Sequence, residues 1–269
     1  MFKGPAILEV EEINATNKQK VTEFLRSNIV RHVFAFYDIQ YEPEHTIMYA
    51  AFENKKLKGY ILIYKALEFP SIILECDNNA ANVLIKYISE SRFVMHAPSN
   101  LLTKIKRKFP KAKHYVENWM LVKKGRAHFF HSESVRRLRS EKDASKLTLL
   151  LSTQKNRPRG IVRKYTDLIE KMPVYGAFTN DELVSYAGSF IQLPEVWMIG
   201  GVYTNPCHRS KGYATLTTSA VTEEALQNAE TAALFVRSDN LPAIKVYEKI
   251  GYMKIDERLW VDVGTGLEP

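Results

Sequence analysis

The sequence predicts a mixed α/β protein made of two related domains in tandem, each a mixed, mostly antiparallel sheet flanked by helices, with the first copy degenerate. Three observations carry that expectation. MYAAFENKKLKGY, from Met48, and VYGAFTNDELVSY, from Val174, align without a gap, so Tyr49, Ala51, Phe52, Asn54, Leu57 and Tyr60 recur as Tyr175, Ala177, Phe178, Asn180, Leu183 and Tyr186. Both segments are followed by the same succession of apolar runs and helical stretches. Only the second succession contains a basic turn with a glycine, PCHRSKGYAT, where the first has DNNAAN.

Each repeated segment reads as a β-hairpin, because an alternating run meets a polar turn (ENKK, TNDE) and a second run follows. The first half then gives strand SIILECD, a helix from Asn79 to Ser91, strand RFVMHAP, helix SNLLTKIKRKF and strand HYVENWMLV. The second half gives strand EVWMIGGVYT, a helix from Tyr213 to Glu230, strand ALFVRSD, a helix from Asn240 to Ile250 and strand YMKIDERLWV. Helices are expected ahead of each hairpin, in TNKQKVTEFLRSNI, EKDASKLTLLLS and VRKYTDLIEKM. Charge and a glycine interrupt the pattern at KKGRAHFFHSE, which places the domains at 1–125 and 126–269.

The chain of 269 residues is 45% hydrophobic and 25% charged, an ordinary globular composition. No apolar run approaches a membrane span, and the opening MFKGPAILEVEEIN lacks a signal-peptide core. Two cysteines, Cys76 and Cys207, make no disulfide framework, so a cytoplasmic location is expected. The histidines form no ligand set, and no metal is expected. The formal charge of +8 favours anions without naming one. TKIKRKFPKAKH concentrates Lys104, Lys106, Arg107, Lys108, Lys111 and Lys113, which fits a solvated helix face or a nucleic-acid patch.

The turn entering the second half's long helix points to an anionic ligand. A helix start leaves amides without partners and carries the positive end of the dipole, so an anion fits there. Gly212 lets the backbone approach a bulky diphosphate, Ala214 keeps the first turn thin, and Arg209 and Lys211 add positive charge. Gly200 and Gly201 interrupt the strand before it and predict a bulge or splay. Asn240 followed by Pro242 reads as a helix N-cap with an early proline.

The stretch from Val202 through PCHRSKGYAT resembles the acetyl-CoA-binding segment of the GCN5-related N-acetyltransferases, whose signature is Q/R-x-x-G-x-G/A after a central strand. Downstream, Asn240, Ala243, Tyr247, Gly251 and Tyr252 match that family's N-x-x-A-x-x-x-Y-x-x-x-G-F/Y pattern. The likeness runs from about Pro173 to Val261, reaches back weakly to Val135, and is nearest to the FR47-like and glycine N-acyltransferase-like branch.

The resemblance implies acetyl-CoA as the acyl donor. It places the amides of Ser210, Lys211, Gly212, Tyr213, Ala214 and Thr215 around the diphosphate, with Arg209 adding charge. Tyr203 and Thr204 would lie along the pantetheine, Val202 would face the thioester carbonyl, and Asn240 would lie nearby. Tyr247 would protonate the leaving thiol, although Ala243, Val246, Tyr247 and Ile250 also make an apolar stripe at helical spacing. The base is open. Met198 stands at one common base position and cannot serve, Glu195 is the nearest carboxylate, and a water relayed through Tyr186 or Ser189 is the alternative. Cys207 receives no role.

The resulting expectation is an N-acyltransferase moving an acetyl or short acyl group to a small amine or amino acid by direct attack. A protein N-terminus or lysine as acceptor, and a non-catalytic acyl-CoA sensor, stay open as alternatives. Neither nucleic acid nor membrane is an expected partner, and a homodimer is allowed.

Overall fold

The computed structural model describes residues 8–154 and 162–267. The opening residues Met1–Ile7, part of the segment read for a leader, lie outside them. In chain order the elements are β1 (Glu9–Ile13), α1 (Gln19–Ser27), α2 (Val33–Tyr41), β2 (Thr46–Glu53), β3 (Lys56–Tyr64), β4 (Ser71–Cys76), α3 (Asn78–Leu84), β5 (Phe93–Pro98), α4 (Leu102–Lys108) and β6 (Lys113–Lys123). There follow β7 (Val135–Arg137), α5 (Glu141–Ser152), α6 (Val162–Lys171), β8 (Val174–Thr179), β9 (Glu182–Gln192), β10 (Val196–Thr204), α7 (Tyr213–Asn228), β11 (Thr231–Arg237), α8 (Leu241–Ile250) and β12 (Met253–Val263). No helix among the described residues is long and apolar enough to cross a membrane.

The chain forms two compact units, and neither is contiguous. One comprises Met1–Asn118, Arg237–Asp239 and Asp256–Pro269, the other Trp119–Val236 and Asn240–Ile255. The boundary drawn at residue 125 assumes that each domain keeps its own last strand. Instead β6 leaves the first unit at Asn118, and β12 joins it from Asp256.

In the first unit the strands run β1-β2-β3-β4-β5-β12, antiparallel except for β4 and β5, with Arg258–Val263 of β12 paired to Phe93–Pro98. One face buries Ile61, Ile63, Ile72, Leu74, Phe93, Leu259 and Val261 against α3 and α4 through Ala81, Leu84, Leu101 and Ile105. The first unit also holds a buried charged group, on residues that alternate with that face. Arg31 donates to Glu75 through Nε at 3.0 Å and Nη2 at 2.8 Å, and buried Arg258 pairs with the same carboxylate. Burial alone pushes the Glu75 carboxyl up, but the two guanidiniums hold it below the usual range.

The second unit repeats the plan as β7-β8-β9-β10-β11, with β10 and β11 parallel and the rest antiparallel. The mixed, mostly antiparallel sheets expected from the sequence are therefore present. Both hairpins turn through residues with the same positive φ: 50° and 64° at Asn54 and Lys55, 50° and 64° at Asn180 and Asp181. Two positive φ values in a two-residue loop are the type I′ geometry that suits twisted strands. Both hairpins also slip register at the same place, Ala51/Phe52 and Ala177/Phe178. The repeat is thus structural as well as textual. On one face α7 and α8 pack through Val221, Ala225, Tyr247 and Ile250, and on the other α5 and α6 pack through Leu147, Leu151, Tyr165 and Ile169.

The elements read from the sequence are present, with three additions and one shortening. Strands β1 and β7 and helix α2 were not expected, and the helix from Asn79 stops at Leu84, passing into a 3₁₀ turn through Tyr87.

Two buried groups of the first unit titrate in opposite senses. Burial lowers His32, whose Nδ1 lies 2.9 Å from the Tyr60 hydroxyl, to about 4, and raises Asp38 to about 7. A depressed histidine loses stability as pH falls, because the unfolded chain takes up the proton first. A raised carboxyl gains stability over the same fall, because the folded chain takes it up first. Between pH 7 and 5 each contributes ~2 kcal/mol, and the two nearly cancel. Denaturant titrations should give a flat profile for the native chain, rising stability toward pH 5 for His32→Phe and falling stability for Asp38→Asn. Parallel slopes in all three would dismiss the assignment.

Candidate active site

The groove is built where β10 parts from its neighbours. β10 pairs with β11 only at Val196, Trp197 and Met198. Toward β9, Gly200 faces Gly188 while Tyr203 faces Tyr186, so β10 carries one extra residue between them. Gly201 takes up the bulge at φ +66°. A Cβ there would lie 3.0 Å from the Tyr186 hydroxyl, and one at Gly200 would lie 2.6 Å from the Phe190 ring. The glycine pair is therefore required by close aromatic neighbours as well as by backbone geometry. Val202 falls inside the bulge and has no register partner on either side among the described residues.

Beyond β10 the chain makes a 3₁₀ turn, Pro206–His208, and reaches α7 through Ser210 at φ +62° and Gly212 at φ +85°. Gly212 is the N-cap and supplies no capping side chain. The first helical bond is Leu216 N–H to the Gly212 carbonyl at 3.1 Å. Among the described residues none accepts a hydrogen bond from the amides of Ser210, Lys211, Gly212, Tyr213, Ala214 or Thr215. Six consecutive donors at the helix start therefore lack a protein acceptor among the described residues. The first unit closes the corresponding helix differently, since the Asp77 carboxylate accepts from Asn79 N at 2.9 Å and Ala80 N at 2.8 Å. Its own carboxylate does what an anion would do.

The resulting cavity holds about 640 Å³, within the range of small-molecule sites. It is lined by Val202, Tyr203, Thr204, Arg209, Ser210, Gly212, Tyr213, Ala214, Thr215, Asn240 and Tyr247. Eleven of the thirteen residues singled out in the sequence therefore meet in one place. Several are tethered: Thr204 Oγ1 lies 2.8 Å from Ser185 Oγ, the Tyr213 hydroxyl 2.9 Å from Thr179 Oγ1, and the Tyr203 hydroxyl 2.9 Å from Thr153 Oγ1. Arg209 donates from Nε to the Thr204 carbonyl at 3.3 Å and lies over the Tyr203 ring. Asn240 caps α8 by accepting from Ala243 N at 3.3 Å, as its position before Pro242 suggests. The cavity wall is completed by Pro242, Ala243, Val246 and His208. Sequence reasoning passed over His208, whose Nδ1 is buried without a partner among the described residues. Its place next to Arg209 was the available signal.

Tyr247 belongs to both readings entertained for it. Its ring is 6% exposed, stands T-shaped against Tyr252 at 6.0 Å and joins the α7–α8 core. It also lines the cavity, and its hydroxyl has no hydrogen-bond partner among the described residues. Burial raises the phenol to about 12, so it stays protonated across the physiological range.

Two expected residues are not gathered here. The Lys211 side chain is exposed and does not line the cavity. Glu195 precedes β10 at the strand's other end, seven residues before Val202 and roughly 20 Å away by strand rise. It does not line this groove. Ser189 is also committed, since its Oγ donates toward the carbonyls of Ile191 at 3.2 Å and Met198 at 3.1 Å.

Residues 174–261 match the family described as FR47-like protein. No curated protein matches the chain. Among solved structures, a Drosophila protein superposes with a TM-score of 0.73 at 12% identity, covering 94% of this chain and 98% of that one. A GCN5-related N-acetyltransferase from Sphaerobacter thermophilus gives 0.64 at 8%, covering 97% and 98%. A tandem GNAT protein from the clavulanic acid biosynthesis pathway gives 0.61 at 12%, covering 97% and 100%. At such identities the likeness is one of fold. Residues 174–261 are similar to the FR47-like family, and the chain shares its fold with these solved structures.

Proposed function

We propose that the chain is an acyl-CoA-dependent N-acyltransferase that moves an acetyl or short acyl group to the primary amine of a small molecule or amino acid. The observation that carries the reading is the run of six amides, Ser210 to Thr215, without an acceptor among the described residues, beside a groove with Tyr247 in its wall. A diphosphate satisfies such donors and the helix dipole together, and Arg209, held by the Thr204 carbonyl, adds a fixed cation. The Val202 amide, outside the regular ladder, is the donor for the carbonyl oxygen as the amine attacks. The Tyr247 hydroxyl then gives its proton to the departing thiol. The attacking amine loses its proton to water, with Tyr186, buried beside Gly201, as the relay.

Glu195 standing away from the groove favours one second reading, a non-catalytic acyl-CoA sensor. Release of free thiol from acetyl-CoA in the presence of a mixed amine pool separates the two.

Gly212→Glu should keep a native circular dichroism spectrum, since no protein atom lies within 4 Å of an added Cβ and the strain of a side chain at φ +85° falls on one residue of an exposed turn, yet it places a carboxylate among the donors. Calorimetry should then find coenzyme A binding abolished, and unchanged affinity would refute the loop's role. Tyr247→Phe should lower kcat by about 100-fold with coenzyme A affinity nearly unchanged. Full turnover in that variant would leave the ring a purely structural part of the core.

A further inference from the structure

The basic run Lys104–Lys113 plays no part in the site just described. Three of its members, Lys104, Arg107 and Lys108, turn toward a cavity of about 260 Å³ in the first unit. A fourth cation, Lys86, reaches the same cavity from the 3₁₀ turn after α3. Ala81 and Ile85 are its buried apolar lining, and Asn82 its one uncharged polar residue. No carboxylate lines it, and none of the ion pairs among the described residues involves Lys86, Lys104, Arg107 or Lys108. Lys86, Arg107 and Lys108 are exposed and Lys104 half-buried, so the cavity opens to water, but its cations converge on one space. Here Lys104, Arg107 and Lys108 sit three and four positions apart, where like charges repel. A cation from another element is added to them. Lys104 Nζ donates to Asn82 Oδ1 at 2.6 Å, which holds one ammonium across the gap between α3 and α4.

We infer that this cavity is a second anion site, built for the phosphate group of a phosphomonoester or diphosphate. Its volume is below that of sites enclosing drug-sized ligands, so it takes the charged group and leaves the remainder outside. The guanidinium of Arg107 supplies a planar fork for two phosphate oxygens, and the three ammonium groups supply point charges. The site is independent of the α7 loop, because every lining residue belongs to the first unit. The α3 helix start is not part of it, since Asp77 already caps that end.

The test is calorimetric titration of the full-length chain with inorganic pyrophosphate at constant ionic strength. The native chain should bind two equivalents. Lys86→Gln/Arg107→Gln should lose one of them, by at least about tenfold in affinity, while coenzyme A binding is unchanged. Gly212→Glu should lose the other and keep the first. Binding of two equivalents by the Lys86→Gln/Arg107→Gln chain, or of only one by the native chain, overturns the proposal. A single-stranded RNA arm separates the remaining source. RNA that binds through these cations in a chain that takes no second pyrophosphate would assign the surface to nucleic acid and also overturn it.

Discussion

A helix start offers main-chain donors that something must satisfy, and the two units answer that constraint in opposite ways. In the first, Asp77 folds back and accepts from Asn79 and Ala80, so the helix is closed by its own side chain. In the second, Gly212 contributes no side chain, and the amides from Ser210 to Thr215 have no acceptor among the described residues. Conformation keeps them there, because Ser210 and Gly212 both take positive φ. A Cβ at Gly212 would meet no protein atom, so the glycine serves backbone shape and access to the groove, not packing.

The groove needs a second feature, the parting of β10 from β11. Regular strands in register leave no space between them. Here pairing stops at Met198 and Ala233, and an extra residue bulges at Gly200–Gly201. Tyr186 and Phe190 press against the glycine pair, so the bulge is held from outside. The hydroxyl contact between Thr204 and Ser185 then returns the strand's end to β9. Fold and site are coupled through these few residues, and helix α8, capped by Asn240, brings Tyr247 to the same space.

Much of this is legible in the sequence because it is local. The hairpins announce themselves by alternation and a polar turn, and their common φ values show that the repeat preserves geometry. The loop before α7 is legible because a glycine at an uncapped helix start, flanked by cations, stands out in the sequence. What escapes reading is long-range or aperiodic. Helix α2, VFAFYDIQY, is apolar on most sides and so lacks a helical period. Strand β1, EVEEI, is an edge strand whose charged residues hide its pairing with β2. Glu195 was the nearest carboxylate along the chain, but strand rise carries it to the wrong end. The units' true membership depends on where the last strand pairs, which no local pattern records.

That last strand has a consequence for how the protein is made. Residues Arg258–Val263 cover the open side of β5 and seat Leu259 and Val261 in the first unit's core. A ribosome delivers them only after the whole second unit has emerged. Until then the nascent amino-terminal sheet keeps a bare edge at β5, the kind of surface that pairs with stray chains. Early folding of the amino-terminal half is thus incomplete by design of its connectivity, and holding chaperones would find their natural target at that edge.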